Sequence, residues 1–175
     1  MSGALAVARR LARWRVASGF VLGALVWWLA EPTWRSIGFG AAIAVVGELL
    51  RWWAAGHLEK SREVTRSGPY RWTRHPLYAG SSIIATGLAV ASASAPAAVI
   101  IAVYVLTTIP AAIVSEEAHL LEKFGREYDR YKSRDAPPMM RRFSLARARV
   151  NREHQTMGGV LIGLALLAAK VFIQR

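Results

Sequence analysis

The sequence contains no cysteine, which excludes disulfide bonds and thiolate chemistry and leaves the compartment undecided. Acidic residues are also scarce, because 11 Asp and Glu stand against 23 Lys and Arg. Charge of either sign is missing altogether from residues 76–115. A helix rises ~1.5 Å per residue, so about 20 residues cross a ~30 Å hydrocarbon core. This uncharged block is therefore as long as two membrane spans.

The other apolar segments extend this pattern along the chain. They predict an all-α, polytopic membrane protein that forms a single membrane domain over residues 1–175. About five transmembrane helices are expected, at about 16–30, 36–53, 77–92, 97–114 and 157–173, with a tight turn at Ser92–Pro96. Pro110 is expected to kink the fourth helix. In the last span Lys170 is expected to snorkel to the far interface, and the alternative for this segment is a helix that lies at the interface.

Most of the positive charge lies on one side of these spans. Twenty of the 23 Lys and Arg fall in residues 9–15, 51–74 and 123–152, and pairs of spans separate these segments. This is the positive-inside pattern, and it predicts a cytoplasmic N-terminus behind a retained signal anchor and a location in the bacterial inner membrane. The net charge of +12 therefore indicates a membrane protein, and we expect no nucleic-acid partner.

Two further patterns concern the cytoplasmic side, for which we predict catalytic segments at 56–76 and 115–155. Glu48 and Arg51 lie three residues apart in span two, which favours a local ion pair, with a polar pocket as the alternative. Residues 115–132 carry apolar and aromatic side chains at helical spacing, which predicts a cytoplasmic extension of span four. Residues 141–152 are strongly basic and suit anionic headgroups.

Two clusters of chemically capable residues meet at this interface. The first is Gly68-Pro69-Tyr70-Arg71-Trp72-Thr73-Arg74-His75-Pro76-Leu77-Tyr78-Ala79-Gly80, and the second is Glu116-Glu117 followed by Phe124-Gly125-Arg126-Glu127-Tyr128 and Tyr131. The first opens span three and the second closes span four. As the two ends of one helical hairpin, they are expected to lie close together.

The residue types of these clusters match a ligand of mixed charge. Arg74 offers a planar fork for a carboxylate, and the start of span three favours an anionic group. Glu116 and Glu117 supply negative charge, while Tyr70, Tyr78, Phe124 and Tyr128 supply aromatic faces for a cation or a base. S-adenosylmethionine combines a carboxylate, an ammonium, a planar base and a positive centre. No metal site is predicted.

The motifs also carry a resemblance to a known family. The string Gly-Pro-Tyr-Arg-x-x-Arg-His-Pro-x-Tyr-x-Gly, the Glu-Glu pair and Phe-Gly-x-x-Tyr-x-x-Tyr resemble the isoprenylcysteine carboxyl methyltransferase family, over roughly residues 45–135. Membrane phospholipid N-methyltransferases look like relatives. The resemblance implies a short protein of about five spans that transfers a methyl group from S-adenosylmethionine to a lipophilic acceptor, above all the carboxylate of an isoprenylcysteine-like substrate.

Carried over by position, the resemblance places cofactor-binding residues in both clusters. These are His75, Tyr78, Glu116 and Glu117, and the residue chemistry described above adds Tyr70, Pro76 and Tyr128. The catalytic residues are Arg74, which aligns the acceptor carboxylate, and Glu117. The family usually continues with Arg-Val-Pro after the second tyrosine, whereas this chain has Arg134-Asp135-Ala136-Pro137-Pro138, so the acceptor stays undetermined.

Three alternatives remain open from the sequence. A phospholipid of the phosphatidylethanolamine type would be methylated on nitrogen, with His75 or Glu117 as the base. Membrane steroid and fatty-acyl reductases that use NADPH look similar here, but they usually have Asn where this chain has Leu77, and they lack the Glu pair. A non-catalytic membrane scaffold would keep the fold without the activity. The expected partners are a lipid substrate and the membrane, and the oligomeric state is not readable.

Overall fold

The computed structural model describes Gly3 and residues 18–174. Within these residues all regular secondary structure is helical, which confirms the all-α prediction. The α-helices are α1 (Ser18–Leu29), α2 (Trp34–Ala55), α3 (Pro76–Ser92), α4 (Ala95–Phe124), α5 (Arg126–Lys132), α6 (Leu145–Val150) and α7 (Glu153–Ile173), with a 3-10 helix at Gly68–Arg71. The basic residues before residue 18 and the start of the first predicted span lie outside the described residues.

Three of these helices are long and apolar enough to cross a membrane, namely α2, α4 and α7. In the most apolar stretch of each helix, only 22% to 28% of the residues are buried inside the protein. The outward faces carry large apolar side chains such as Phe39, Leu106 and Ile162, which lipid would cover. The chain is therefore a membrane protein. Helices α1 and α3 are apolar but shorter, so the count of five spans stays a prediction.

Glycines bring α2 and α3 into close contact. A Cβ added at Gly47 would lie 2.6 Å from the Gly80 carbonyl oxygen, and one at Gly87 would lie 2.5 Å from the Gly40 carbonyl oxygen. Small residues permit this backbone approach in membrane helices. The pair of helices forms a rigid base that holds the start of α3 in place.

Local signals explain where the helices of the α3–α4 hairpin begin and end. Pro76 is the first residue of α3, where the missing N–H costs nothing. Ala93 ends α3 in the left-handed conformation, and Ser94 caps α4 by accepting a hydrogen bond from the Ala97 N–H. Helix α4 then continues through Pro110 as one element. The hairpin thus sets the end of α4 beside the start of α3.

The predicted ion pair between Glu48 and Arg51 is wrong. Arg51 instead forms a two-pronged pair with Glu153 of α7, with Nε–Oε2 and Nη2–Oε1 distances of 3.0 and 2.9 Å. It also donates to Ser81 Oγ and to the Leu77 carbonyl. Both Glu48 carboxylate oxygens are buried without a hydrogen bond from the described residues. Helix packing brings Glu153 to Arg51, so sequence spacing does not decide the partner.

The predicted continuous helix over residues 115–132 is broken. Gly125 has φ 47° and ψ −121°, a conformation that side chains disfavour, and it separates α4 from α5. The chain turns there, and α5 returns toward the hairpin with Tyr128 buried. The tyrosines of α5 therefore reach the site from a second helix and do not continue the face of α4.

The basic segment 141–152 packs largely on the end of α2, although the sequence suggested anionic headgroups for it. Arg147 pairs with Glu59 at 2.7 Å and donates to the Gly56 carbonyl. Asn151 donates to the carbonyls of Ala55 and Leu58. These donors satisfy carbonyls that the helix end leaves free, and the positive charge suits its dipole.

Lys170 has a similar task at the opposite end of the molecule. It is 8% exposed and donates to the carbonyls of Trp27 and Trp28 at 2.7 and 2.5 Å. The expected snorkelling of Lys170 is therefore wrong, since its ammonium group caps α1 inside the protein. This contact ties α1 to α7.

Candidate functional site

The first motif forms a compact turn ahead of α3. Gly68 has φ 57°, and a Cβ there would lie 2.5 Å from the ring of His57, so only glycine fits. The His57 ring contacts Ser67 Oγ at 3.1 Å. Burial and the nearby Arg147 and Arg141 lower the pKa of His57 below its ordinary value, which keeps the ring neutral at pH 7. This neutral packing fixes the loop that presents Tyr70, Arg74 and His75.

The helical hairpin brings the two predicted clusters together. Arg74 Nη1 and His75 Nε2 each lie 3.1 Å from Oε1 of Glu117. The His75 ring also lies 6.1 Å from the Tyr78 ring, between centroids. The Arg-His step and the Glu pair therefore form one cluster, as their positions in the hairpin predicted.

A third cation completes the surroundings of Glu117. Lys132, the last residue of α5, donates to Glu117 Oε2 at 2.9 Å. Sequence analysis missed this residue. The sequence offered one sign that Lys132 belongs to the site, namely its position one helical turn beyond Tyr128. Because the helix breaks at Gly125, helical spacing counted from Glu117 in α4 does not predict which residues of α5 face Glu117.

The two glutamates face different spaces. Glu116 lines a large cavity beside Tyr70, Arg74 and His75. Glu117 lines a smaller space with Lys132. Glu117 thus lies behind Arg74 and His75 and holds them, while Glu116 presents its carboxylate to the cavity.

Three tyrosines lie at the end of this cavity that contains Arg74 and His75. The Tyr131 hydroxyl donates to the Tyr70 carbonyl at 2.8 Å. Burial raises the pKa of Tyr70 and Tyr128, and raises that of Tyr131 to about 12, so all three phenols are neutral at pH 7. The Tyr128 hydroxyl is buried near Glu117 and makes no well-formed hydrogen bond with the described residues. Tyr128 also lines the cavity, so this hydroxyl could bond to a ligand there.

The cavity has a volume of about 1320 Å³ and two unlike ends. One end is polar and contains most of the predicted site residues, namely Tyr70, Arg74, His75, Pro76, Tyr78, Glu116 and Tyr128. The other end runs between α1, α3, α4 and α7 and is lined by apolar side chains such as Leu88, Ile101 and Leu166. Such a shape suits a ligand with a polar head and an apolar chain.

The polar end also contains residues that sequence analysis did not assign to the site. These are Ser81, His119, Asn151 and Glu153, and they line it together with Arg51, for which the sequence had left a polar pocket as the alternative. The Arg51–Glu153 pair is nearly buried, with side-chain exposures of 14% and 4%. It joins α2, α3 and α7 beneath the motif, and no short motif marks it because its members lie 102 positions apart.

The chemistry of the polar end fits S-adenosylmethionine. The Glu116 carboxylate suits an ammonium group or ribose hydroxyls, and the Tyr128 hydroxyl can donate and accept hydrogen bonds at the cavity. The rings of Tyr70 and Tyr78 suit a positive centre or a planar base. Among the residues that the structure describes, no group of three or more His, Cys, Asp or Glu is placed to hold a metal ion.

Comparisons with known proteins agree on one family. Residues 14–127 match the family described as phospholipid methyltransferase. The chain is 35% identical over 152 residues to the nickel-cobalt-cadmium resistance protein NccN of Alcaligenes xylosoxydans, covering 79% of this chain and 68% of that protein. It is 32% identical over 150 residues to the cobalt-zinc-cadmium resistance protein CzcN of Cupriavidus metallidurans, covering 79% of this chain and 66% of that protein.

A plant enzyme is also similar to the chain. Protein-S-isoprenylcysteine O-methyltransferase B of Arabidopsis thaliana is 32% identical over 120 residues, which cover 62% of this chain and 57% of the enzyme. The matching region thus spans about two thirds of the two resistance proteins and just over half of the plant enzyme. No solved structure matches the chain.

Proposed function

The chain belongs to the phospholipid methyltransferase family of membrane methyltransferases, and from that premise we propose that it uses S-adenosylmethionine to methylate a lipophilic acceptor. The acceptor group that we propose is the carboxylate of an isoprenylcysteine-like substrate. The plant relative, whose name states such an activity, supports this choice. The family match favours methyl transfer over both the reductase and the non-catalytic scaffold.

One observation carries the proposal, namely the continuity of the cavity. It joins the polar cluster of Arg74, His75 and Glu116 to an apolar space between helices. A cofactor at the polar end and an acceptor chain at the apolar end would place their reacting groups beside Arg74. Holding two reactants in line can lower a barrier by up to ~7–11 kcal/mol, so positioning supplies a large part of the catalysis.

The chain's own residues divide this work. When bound, S-adenosylmethionine supplies an electrophilic methyl group. Glu116 and Tyr128 hold the cofactor's polar groups, and the rings of Tyr70 and Tyr78 shield its positive centre. Arg74 aligns the acceptor carboxylate through its planar fork. Glu117 positions Arg74 and His75, which it contacts at 3.1 Å. A carboxylate acceptor is already ionised at pH 7, so it needs no base.

A phospholipid amine is the second candidate acceptor. An ammonium group must lose a proton before it can attack, so this reaction needs a base. The contact between His75 Nε2 and Glu117 Oε1 would orient the imidazole for accepting that proton on its other nitrogen. The same pair therefore supports N-methylation if the substrate is of the phosphatidylethanolamine type.

A direct labelling experiment tests the proposed function. Purified protein is incubated with S-adenosylmethionine labelled in its methyl group and with a total membrane lipid extract or N-acetyl-S-farnesylcysteine. Label in a base-labile methyl ester supports the carboxylate, and label in a phospholipid headgroup supports the amine. Glu116→Gln should weaken cofactor binding by about 1–3 kcal/mol. The absence of labelled product from every acceptor, with cofactor binding also absent, would refute methyl transfer.

A further inference from the structure

The apolar part of the cavity extends far from the polar cluster. Its lining runs along α3 from Pro76 to Leu88, which corresponds to ~18 Å at ~1.5 Å per residue. Half of the hydrocarbon core is ~15 Å thick, since the whole is ~30 Å. The cavity is therefore about as deep as one lipid chain is long in a leaflet.

Trp27 of α1 lies at the deep end of this cavity. It lines the cavity together with Leu88, Leu166 and Leu167. It also packs against the buried cluster of Ala30, Ala91 and Leu167. A chain that extended along the lining past Trp27 would have to displace its ring from this cluster.

Two contacts fix the orientation of this indole. Its Nε1–H donates to the Leu166 carbonyl at 3.0 Å. The Lys170 ammonium lies 5.2 Å from the ring centroid and donates to the Trp27 carbonyl. An indole that is hydrogen-bonded at its edge and covered by a cation resists rotation. A simple packing residue needs neither contact, so the ring is held as a rigid end wall.

We propose that Trp27 is a specificity-determining residue that sets the longest acceptor chain the cavity can hold. This inference rests on the proposed function, because it assumes that the apolar end receives the acceptor's chain. It adds a limit on chain length that is set at the far end of the molecule from Arg74 and His75. Lys170 acts through Trp27 as a positioning residue.

A substitution at a second position, Gly163, should shorten the longest chain that the cavity can hold, whereas removal of the Trp27 ring should lengthen it. Gly163 lines the cavity one helical turn before Leu166 and Leu167. A Cβ added there meets only Leu88 Cδ2, at 3.8 Å, which is ordinary contact. A larger side chain at Gly163 should therefore project into the cavity and shorten its apolar part by about one helical turn, or ~5 Å.

The test compares three variants in detergent solution. The ligands are radiolabelled N-acetyl-S-geranylcysteine, its farnesyl homologue and its geranylgeranyl homologue. Affinity for each is measured by equilibrium binding, and methyl transfer is measured in the same samples. Trp27→Ala should lengthen the apolar part of the cavity, and Gly163→Leu should shorten it. Trp28→Ala is the matched control, since Trp28 is the neighbouring tryptophan, is 72% exposed and is not among the residues that line this cavity.

Trp27→Ala should raise the ratio of affinities for the longest and shortest ligands by about tenfold or more, the size of effect that a few methylenes produce in a fitted pocket. Gly163→Leu should lower that ratio by a similar factor, and Trp28→Ala should leave it unchanged. The proposal is overturned if Trp27→Ala and Trp28→Ala have equal ratios of affinity for the longest and shortest ligands. It is also overturned if Trp27→Ala and Gly163→Leu shift this ratio in the same direction, or if no ligand binds. Length-dependent binding without methyl transfer would refute the isoprenylcysteine carboxylate as the acceptor and leave the limit on chain length at Trp27 standing.

Discussion

Glu117 shows how one carboxylate can organise a site without facing its ligand. It contacts Arg74, His75 and Lys132, which come from the loop, the start of α3 and the end of α5. Its side chain is 19% exposed, so these contacts are partly shielded from water and are stronger than surface pairs. Removing it would release three groups at once. Arg74 and Lys132 therefore allow a finer dissection than Glu117 itself.

Arg74→Lys tests alignment of the acceptor. The substitution keeps the charge and loses the planar fork, which matters at a two-pronged contact. Turnover should fall about tenfold or more, equivalent to ~1.4 kcal/mol of barrier, while cofactor affinity changes much less. Both are measured on one preparation. Near-normal turnover would remove Arg74 from the catalytic residues, and equal losses of binding and turnover would assign it to the cofactor site.

Lys132→Met tests whether α5 supports the cluster. Lys132 is half exposed, so its pair contributes only ~0–1 kcal/mol to stability. We expect an unchanged melting temperature and a turnover that is lower by up to about fivefold, because Glu117 loses one of its three partners. Arg130→Met is the control, since Arg130 makes no ion pair among the described residues. Equal turnover in the two variants would show that Lys132 does not position Glu117.

At the scale of elements, the break between α4 and α5 decides which side chains reach the cavity. Without the turn at Gly125, Tyr128 and Tyr131 would continue away from the hairpin along α4. With it, Tyr128 is buried and Tyr131 donates to the Tyr70 carbonyl. Helices α3, α4 and α5, which return on one another, therefore supply much of the polar end, and α2, α7 and the loop before α3 supply the rest.

Gly125→Ala tests this break through backbone strain alone. A Cβ at Gly125 meets nothing within 4 Å, so no steric clash confuses the result. The positive φ should cost about 1–3 kcal/mol, seen as a lower melting temperature in detergent and weaker cofactor binding. Gly158→Ala in α7 is the control, because that Cβ also meets nothing and alanine favours a helix by ~1 kcal/mol. Equal melting temperatures would show that the turn tolerates a side chain.

At the scale of the whole molecule, the two ends differ in charge. One end contains Arg74, Arg147 and the C-terminus of α2 and is basic. The other end contains the α3–α4 turn, which lies within the uncharged residues 76–115. This asymmetry predicts that the basic end, the candidate site and the N-terminus are cytoplasmic. The C-terminus, beyond α7, would then lie on the other side.

Cysteine labelling tests this orientation cleanly, because the chain has no cysteine of its own. Ala95→Cys lies at the exposed α3–α4 turn, and Arg149→Cys lies on exposed α6. In intact cells an impermeant maleimide should label only the first variant, and both should react after permeabilisation. Labelling of Arg149→Cys alone would invert the topology, and labelling of both in intact cells would refute a spanning hairpin.

The sequence by itself determined which segments lie in hydrocarbon and which in water, and where along the chain the candidate site lies. Transfer of a side chain into hydrocarbon depends on that side chain, so the uncharged stretch 76–115 and the basic segments predicted a helical membrane protein before any packing was known. The hairpin followed from its length, and it correctly placed Arg74 and His75 beside Glu117. Local chemistry was sufficient for these features because they span only one turn and two helices.

Only the tertiary structure decided the long-range partners. Arg51 pairs with Glu153 rather than Glu48, Lys170 caps α1 rather than reaching the interface, and Gly125 turns α5 back onto the site. A buried charge must find a counter-charge or a carbonyl, but which one it meets depends on how helices pack across more than a hundred residues. The same packing places Trp27 at the end of the cavity, since the depth of a space between helices belongs to no single segment.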